Sequence, residues 1–386
     1  MTSWLSTSKL PDSSQIQQSL MVRCSVAAGN VTPSVTESYN ACLQATAQEC
    51  QSSGGMRLTY LSRMTGRYFR ELLILVTVCF GYYLVHFWWT TMSLKDALRW
   101  YCKLRPEEYR DPYINLHRYE YNLSPTVCSH QNFDIFILVQ SGPSNAKRRQ
   151  VIRDSYGSVR RFHGVSIGLV FVLGRVAEST LQLKITREFE NHNDIVQGNV
   201  HDNYAFINQK HIMAMDWFLN NCQSDFIGKL DDDTFLNPYR LVDYLSSLRK
   251  PLPNVMFCKV LENEIPVRKP SSKWYTPWYQ YPFKKFPPFC LGFAYVTTPK
   301  VWATLYEASK NYRQMDMDDV YVSAVLGAST DLHLKDIEDV MYDCLQHRSS
   351  VDVNSLRRSV LVLDRWNNCG DKPFKHWEEI KQNNDA

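Results

Sequence analysis

Apolar and polar positions change their spacing several times along the chain, and each change marks an element. "FDIFILVQS" from Phe133 and "VSIGLVFVLG" from Val165 are apolar runs of strand length, bounded by Gly, Ser or Pro. Between them "SNAKRRQVIRDSYG" has helical character, with Ser144 as a candidate N-cap. "YAFINQKHIMAMDWFLNNC" repeats its apolar residues at roughly helical spacing and predicts a long helix. "DFIGKL" then forms a short strand that runs straight into Asp231, Asp232 and Asp233. Thr298-Pro299 opens a further helix, "KVWATLYEASKN", with Pro at its first position. Strands alternating with helices predict an α/β layered sheet. In such sheets ligands collect at the C-terminal ends of strands, where the aspartates fall.

One segment is apolar without alternation. Leu72 to Trp89, "LLILVTVCFGYYLVHFWW", contains no Asp, Glu, Lys or Arg. As a helix it spans roughly 27 Å, close to the thickness of a thin bilayer. Tyr82, Tyr83, Trp88 and Trp89 crowd its C-terminal end like an interfacial aromatic belt. A buried core helix is the alternative, but the length of the charge-free run favours a single membrane span. Arg57, Arg63, Arg67 and Arg70 precede it with no acidic residue among them, which places the N-terminal side in the cytosol. The expected organisation is a cytosolic tail at 1–70, a signal-anchor at 71–89, a stem at 90–130 and a lumenal domain at 131–386. The Ser-, Thr- and Gln-rich start of the tail predicts disorder, and Met56, shortly before the arginines, is a second candidate initiator. The topology makes this a type II membrane protein.

Composition narrows the classes further. Lys and Arg total 43 against 39 Asp and Glu, a formal charge of +4 that is too balanced for a nucleic-acid-binding face. Hydrophobic residues at 44% support a sizeable core. Of the 11 cysteines, seven follow the span, with no metal-type C-x-x-C pair. In an oxidising lumen these are expected to form disulfides and leave one odd thiol. Asn122-Leu123-Ser124 is a lumenal glycosylation sequon, followed by Pro125.

Three adjacent carboxylates repel unless solvent screens them or a cation sits among them. Both readings suit an isolated acidic triplet. A calcium EF-hand does not, because its Gly and Glu positions would be Leu236 and Val242. Carboxylates at a rigid strand end also suit a divalent ion held against a nucleotide diphosphate.

Here the sequence resembles the β1,3-glycosyltransferases, glycosyltransferase family 31, in its galactosyltransferase and N-acetylglucosaminyltransferase branch. "KLDDDTFLNP" resembles that family's metal-binding segment, and "RRQVIRDSYG" resembles R-R-x-x-I-R-x-T-W-G. "DNYAFINQK" is similar to D-x-Y-x-N-L-T-L-K, "KWY" at 273–275 to K-W-Y, and "FPPFCLGFAYV" to Y-P-P-Y-C-S-G-G-G-Y-V. "MDDVYVS" resembles the E-D-V-Y-V-G segment, so the likeness runs in order over about residues 131–330. The chain departs from the motifs at Ser155, Tyr156, Phe206, Asn208, Leu291, Phe293, Asp318 and Ser323. Phe293 puts a bulky side chain beside the expected donor pocket.

The resemblance implies a GT-A type nucleotide-sugar-binding fold, a UDP-sugar donor, Mn²⁺ and a glycoprotein or glycolipid acceptor in the Golgi. It implies an inverting single displacement, with galactose as the first candidate sugar and a β1,3 linkage. Asp233 and Asp231 are the expected metal ligands, and Asp231 and Asp232 are expected against metal, ribose or sugar. Asp319 is the expected base, because a carboxylate on the acceptor hydroxyl can take its proton. Asp318 and Asp319 also suit a helix N-terminus. Arg148, Arg149 and Arg153 are candidate uridine or phosphate contacts, and Tyr295 a candidate wall of the donor pocket. Trp274, Tyr275 and Asp318 are candidate substrate contacts. A glycan-binding pseudoenzyme of the same fold is the alternative function.

Overall fold

Side chains alternate along the first long strand, and the alternation sets the layers. In the computed structural model, which describes residues 58–103, 118–248, 254–337, 341–343, 353–363, 374 and 376–382, β2 (Phe133–Gln140) is buried on both faces. Phe136 and Leu138 join one apolar cluster, while Ile135, Ile137 and Val139 join a second on the opposite face. A strand covered on both sides reads as a continuous apolar run, which is the pattern seen in the sequence.

The other elements follow in chain order. They are β1 (Tyr121–Leu123), α3 (Ala146–Asp154), β3 (Arg161–Phe162), β4 (Val165–Arg175), α4 (Ser179–His192), β5 (Ile195–His201), α5 (Ile207–Asn221) and β6 (Ser224–Asp231). Next come β7 (Thr234–Leu236), α6 (Pro238–Ser247), β8 (Val255–Leu261), β9 (Phe289–Thr297), α7 (Pro299–Ser309) and α8 (Val320–Ser329), whose first turns are π-helical. The chain continues through β10 (His333–Asp336), β11 (Met341–Asp343), α9 (Val353–Arg358), β12 (Leu361–Leu363) and α10 (Trp377–Gln382). Ahead of these lie α1 (Leu58–Thr91) and α2 (Leu94–Cys102).

The main sheet runs β1-β5-β4-β2-β6-β9-β8-β10, with β3 paired to β4. β5, β4, β2 and β6 are mutually parallel, whereas β9 pairs antiparallel with both β6 and β8. A second sheet, β11-β12-β7, pairs the tail of the domain with the segment just after the aspartates. The chain moves from β2 outward to β4 and β5, then returns through α5 to β6 on the other side of β2. That reversal opens a crevice at the C-terminal ends of β2 and β6, where Gln140 lies opposite Asp231. The sharp β3–β4 hairpin turns on His163 (φ 47°) and Gly164 (φ 85°), a two-residue loop with both φ values positive.

Helices cover both faces. Trp217 and Phe218 of α5, Trp302 of α7 and Tyr321 of α8 pack on one side. Ile152 of α3, Ile185 of α4, Leu241 of α6 and Trp377 of α10 pack on the other. This is the layered α/β architecture expected of a GT-A type fold. Two local expectations change. Ser144 is not the N-cap of α3; Asn145 is, and its side chain makes no capping bond. The expected stem at 90–130 is partly folded: the amphipathic α2 buries Ala97, Leu98 and Cys102, and β1 joins the main sheet.

α1 is described by itself, because the chain divides into compact units at Met1–Thr90 and Thr91–Ala386. Within it Arg70–Phe87 is long and apolar enough to cross a membrane, and none of this stretch is buried. The expected tail before residue 58 lies outside the described residues.

Among the described residues two disulfides form, Cys128–Cys222 and Cys258–Cys290, and Cys102 is a buried free thiol. Cys344 and Cys369 lie outside the described residues. Asn122 is exposed on β1.

Candidate active site

The crevice contains a cavity of ≈ 380 Å³ whose walls include Asp231, Asp233, Asp318, Asp319, Arg148 and Trp274. A second cleft of ≈ 240 Å³ adjoins it, sharing Tyr204, Ile207, Asp231 and Asp233. Asp231 and Asp318, 87 positions apart in sequence, thus line one cavity, because β6 ends here and α8 begins here.

The three aspartates have three environments. Asp232 is buried and its carboxylate is fully occupied: Ser141 Oγ donates at 2.6 Å, Asn145 Nδ2 at 2.8 Å, Gly142 N at 3.3 Å and Arg148 Nη1 at 3.0 Å. Asp231 accepts from Lys229 Nζ at 2.6 Å through Oδ1, which leaves Oδ2 without a donor from that lysine. Lys229 is itself buried and also donates to Gly292 O at 2.5 Å. Asp233 faces the cavity. Burial, with the charges of Asp231 and Asp232, pushes its carboxyl up to about 6. Arg148 offsets this rise only in part, and a bound cation would supply further positive charge.

Asp319 caps α8, accepting from Val320 N at 2.9 Å. Burial and the neighbouring Asp318 charge push its carboxyl up to about 6, against the opposing Val320 amide and Lys229. It is therefore both cap and pocket residue. Gly292 lies against it: a Cβ there would stand 3.2 Å from the Asp319 Cβ.

Phe293 lines the cavity but does not fill it, because its side chain is buried in the second apolar cluster. Tyr156 is likewise a core residue, its OH donating to Thr234 O at 3.2 Å and its ring packed against Phe235. Trp274 and Lys273 line the cavity.

Other expected contacts lie elsewhere. Arg149 is fully buried and donates to both carboxylate oxygens of Glu188, at 2.8 and 2.6 Å, and to Ser141 Oγ and Gly142 O. Arg153 pairs with Glu188 and Asp194. Both guanidiniums face α4 rather than the cavity, since α3 turns that side to its neighbouring helix. Tyr295 is buried and is not among the cavity walls, its OH between His211 and Trp302. Tyr275 is not among the cavity walls, and Asp232, held by its four donors, lines the adjoining cleft rather than the larger cavity. The sequence reading missed Ser141, Asn145 and His211, whose partners are distant in sequence and carry no local signal.

The donor set suits a hard divalent cation. Asp233 and Asp231 offer carboxylate oxygens to the cavity, and substrate phosphates commonly complete such a site. Among the described residues no cluster of three or more His, Cys, Asp or Glu side chains is preassembled for a metal.

The galactosyltransferase family model matches residues 147–338, which include all of these cavity walls. The chain is also 32% identical over 238 residues to a UDP-GalNAc:beta-1,3-N-acetylgalactosaminyltransferase 1 from Mus spicilegus, covering 60% of this chain and 71% of that protein. It belongs to the galactosyltransferase family. Beta-1,3-galactosyltransferase 9 from Homo sapiens is 32% identical over 232 residues, covering 60% of this chain and 61% of that protein. Among solved structures, the bifunctional glycosyltransferase WbbM aligns with a TM-score of 0.39 at 9% identity, over 67% of this chain and 53% of that one. The family match ends at residue 338, so β11, α9, β12 and α10 lie beyond it.

Proposed function

We propose that this galactosyltransferase-family member is an inverting, Mn²⁺-dependent enzyme of the Golgi membrane. It moves a hexose or N-acetylhexosamine, with galactose the first candidate, from a UDP-sugar to a glycan hydroxyl through a β1,3 linkage. The acceptor is a glycoprotein or glycolipid. The observation that carries the reading is that Asp233 and Asp319, both raised to about 6, line one cavity. One supplies anionic charge for a diphosphate-bound cation and the other a proton acceptor.

The residues divide the work. Asp233 and Asp231 would hold Mn²⁺, and Asp232, fastened to the loop after β2, fixes the turn that aims them. Bound there, the metal would neutralise charge developing on the leaving diphosphate. Arg148 stands at the cavity wall with its guanidinium on Asp232, where it adds positive potential. Trp274 offers an exposed ring at the rim for a sugar face. Asp319 accepts the acceptor hydroxyl's proton as that oxygen attacks the anomeric carbon and UDP departs from the opposite side. No enzyme nucleophile is required. The apolar helix at Arg70–Phe87 anchors the chain as a single-pass type II protein with the domain and Asn122 lumenal. The two disulfides suit that oxidising compartment.

The test is UDP release by the full-length protein in detergent, across a panel of UDP-sugars and glycan acceptors, with and without Mn²⁺. Mn²⁺-dependent release requiring an acceptor supports the reading. UDP binding without turnover on any pair would replace it with the pseudoenzyme.

A further inference from the structure

A buried line of hydrogen bonds ends at Asp318, a cavity wall and the chain neighbour of Asp319. Trp302 Nε1 of α7 donates to Tyr295 Oη of β9 at 3.0 Å. Tyr295 Oη lies 2.5 Å from His211 Nε2 of α5, and His211 Nδ1 lies 2.9 and 3.0 Å from the two Asp318 oxygens. All four side chains are buried. The donor inventory orients the line: an indole N–H can only donate, so the tyrosine proton goes to His211 Nε2. His211 Nδ1, facing two carboxylate oxygens that accept, donates to Asp318. Burial raises the Tyr295 hydroxyl well above its ordinary pKa, which keeps that proton in place.

The line joins α7, β9 and α5 to the one turn that carries Asp319. Asp318 stands where the family-like motif has Glu. It is met by a side chain reaching from α5. The turn it anchors leads directly into the π-helical segment Val320–Leu326, a conformation found mostly as short pieces at functional sites.

We propose that His211 is a positioning residue for sugar transfer: held in one tautomer by Tyr295 and Trp302, it clamps Asp318 and thereby fixes the helix turn that presents Asp319. This rests on the transferase reading for its effect on rate, but not for the clamp itself. The clamp should make His211 tolerant of a donor at Nδ1 and intolerant of its loss. His211→Asn places an amide near the Nδ1 position and can still donate to Asp318. His211→Gln places its amide near Nε2, and His211→Leu removes both nitrogens.

The test compares these three variants with the wild-type full chain in detergent, by hydrogen exchange and by turnover. Backbone exchange over residues 318–323 should rise in His211→Leu and His211→Gln and stay at the wild-type level in His211→Asn. In the same pair kcat should fall by about 10²-fold, the scale of a small misplacement of a reacting group, while the donor KM is unchanged. His211→Asn should retain most of kcat. Exchange that is unchanged in His211→Gln, or raised equally in His211→Asn, overturns the clamp, as does a loss expressed only in KM. If His211→Leu fails to fold, the Asn and Gln pair still decides. A wild type that never turns over sinks the transferase reading alone, since the exchange pattern judges the clamp independently.

Discussion

Ser141 Oγ lies 2.6 Å from Asp232 Oδ2, so the loop after β2 is fastened to the loop after β6 through the middle aspartate of the triplet. Arg149 donates to the same Ser141 oxygen at 3.1 Å and is itself locked to Glu188. The crevice is thus braced from α4 inward: Glu188 to Arg149, Arg149 to Ser141, Ser141 to Asp232. The neighbours of Asp232 are left to face the cavity.

This brace separates the aspartates by stability. Asp232→Ala strands several buried donors and should cost about 1–3 kcal/mol. Asp233→Asn relieves repulsion at a raised carboxyl and should leave the melting temperature unchanged or slightly higher. Thermal melts of the metal-free protein check the pair. Equal destabilisation by both would deny Asp232 its bracing role.

Glu188 should dominate the acid side of domain stability. Burial alone would raise its carboxyl, but hydrogen bonds and charges from Arg149 and Arg153 hold it below the usual range. A depressed folded value stabilises the protein above the unfolded pKa, near 4.3, and that stabilisation is lost as pH falls through the folded value. Glu188→Gln, which leaves two buried guanidiniums short of charge, should cost about 3 kcal/mol at neutral pH. The deficit should shrink in acid. Denaturant midpoints at pH 7 and pH 3.5 test this, and a deficit that is constant with pH contradicts it.

The fold was legible in the sequence wherever one face or one run carried the signal. β2, β4 and α5 appear in the apolar pattern because buried parallel strands are apolar throughout and α5 packs along its length. The triplet and Asp319 appear because their motifs are local. Arg149 and Arg153 were misplaced for a physical reason. Sequence places them on a helix but not on a face, and a guanidinium serves a carboxylate in the core as readily as a phosphate in a cleft. His211 was invisible because its meaning lies in partners 84 and 107 residues away.

Gly292 should prove essential to rate rather than to folding. A Cβ at this position meets Asp319 at 3.2 Å, so Gly292→Ala pushes on the base while adding only one methyl to a strand. The expected loss is several-fold to about 10-fold in kcat, below the roughly 10²-fold of a 1 Å misplacement, with the melting temperature little changed. Wild-type kcat in a folded Gly292→Ala would contradict the placement of Asp319 at the reacting atoms.

Transfer should also depend on pH through Asp319. Its carboxyl is raised to about 6 by burial and by Asp318, and only the deprotonated form accepts a proton. Rate under saturating donor should therefore climb as pH rises through about 6. A rate flat from pH 5 to 8 would remove Asp319 from the proton-transfer step.

The most direct measurement of the central claim is a UDP titration, with and without Mn²⁺, run beside turnover on the full-length wild type, Asp233→Asn and Asp319→Asn. The account predicts that Asp233→Asn loses Mn²⁺ and UDP affinity together, because an amide cannot replace the carboxylate charge. It predicts that Asp319→Asn keeps both affinities while turnover falls by about 10²- to 10⁴-fold, the range for loss of a general base. UDP binding by the wild type that is indifferent to Mn²⁺, or turnover that survives in Asp319→Asn, would contradict it.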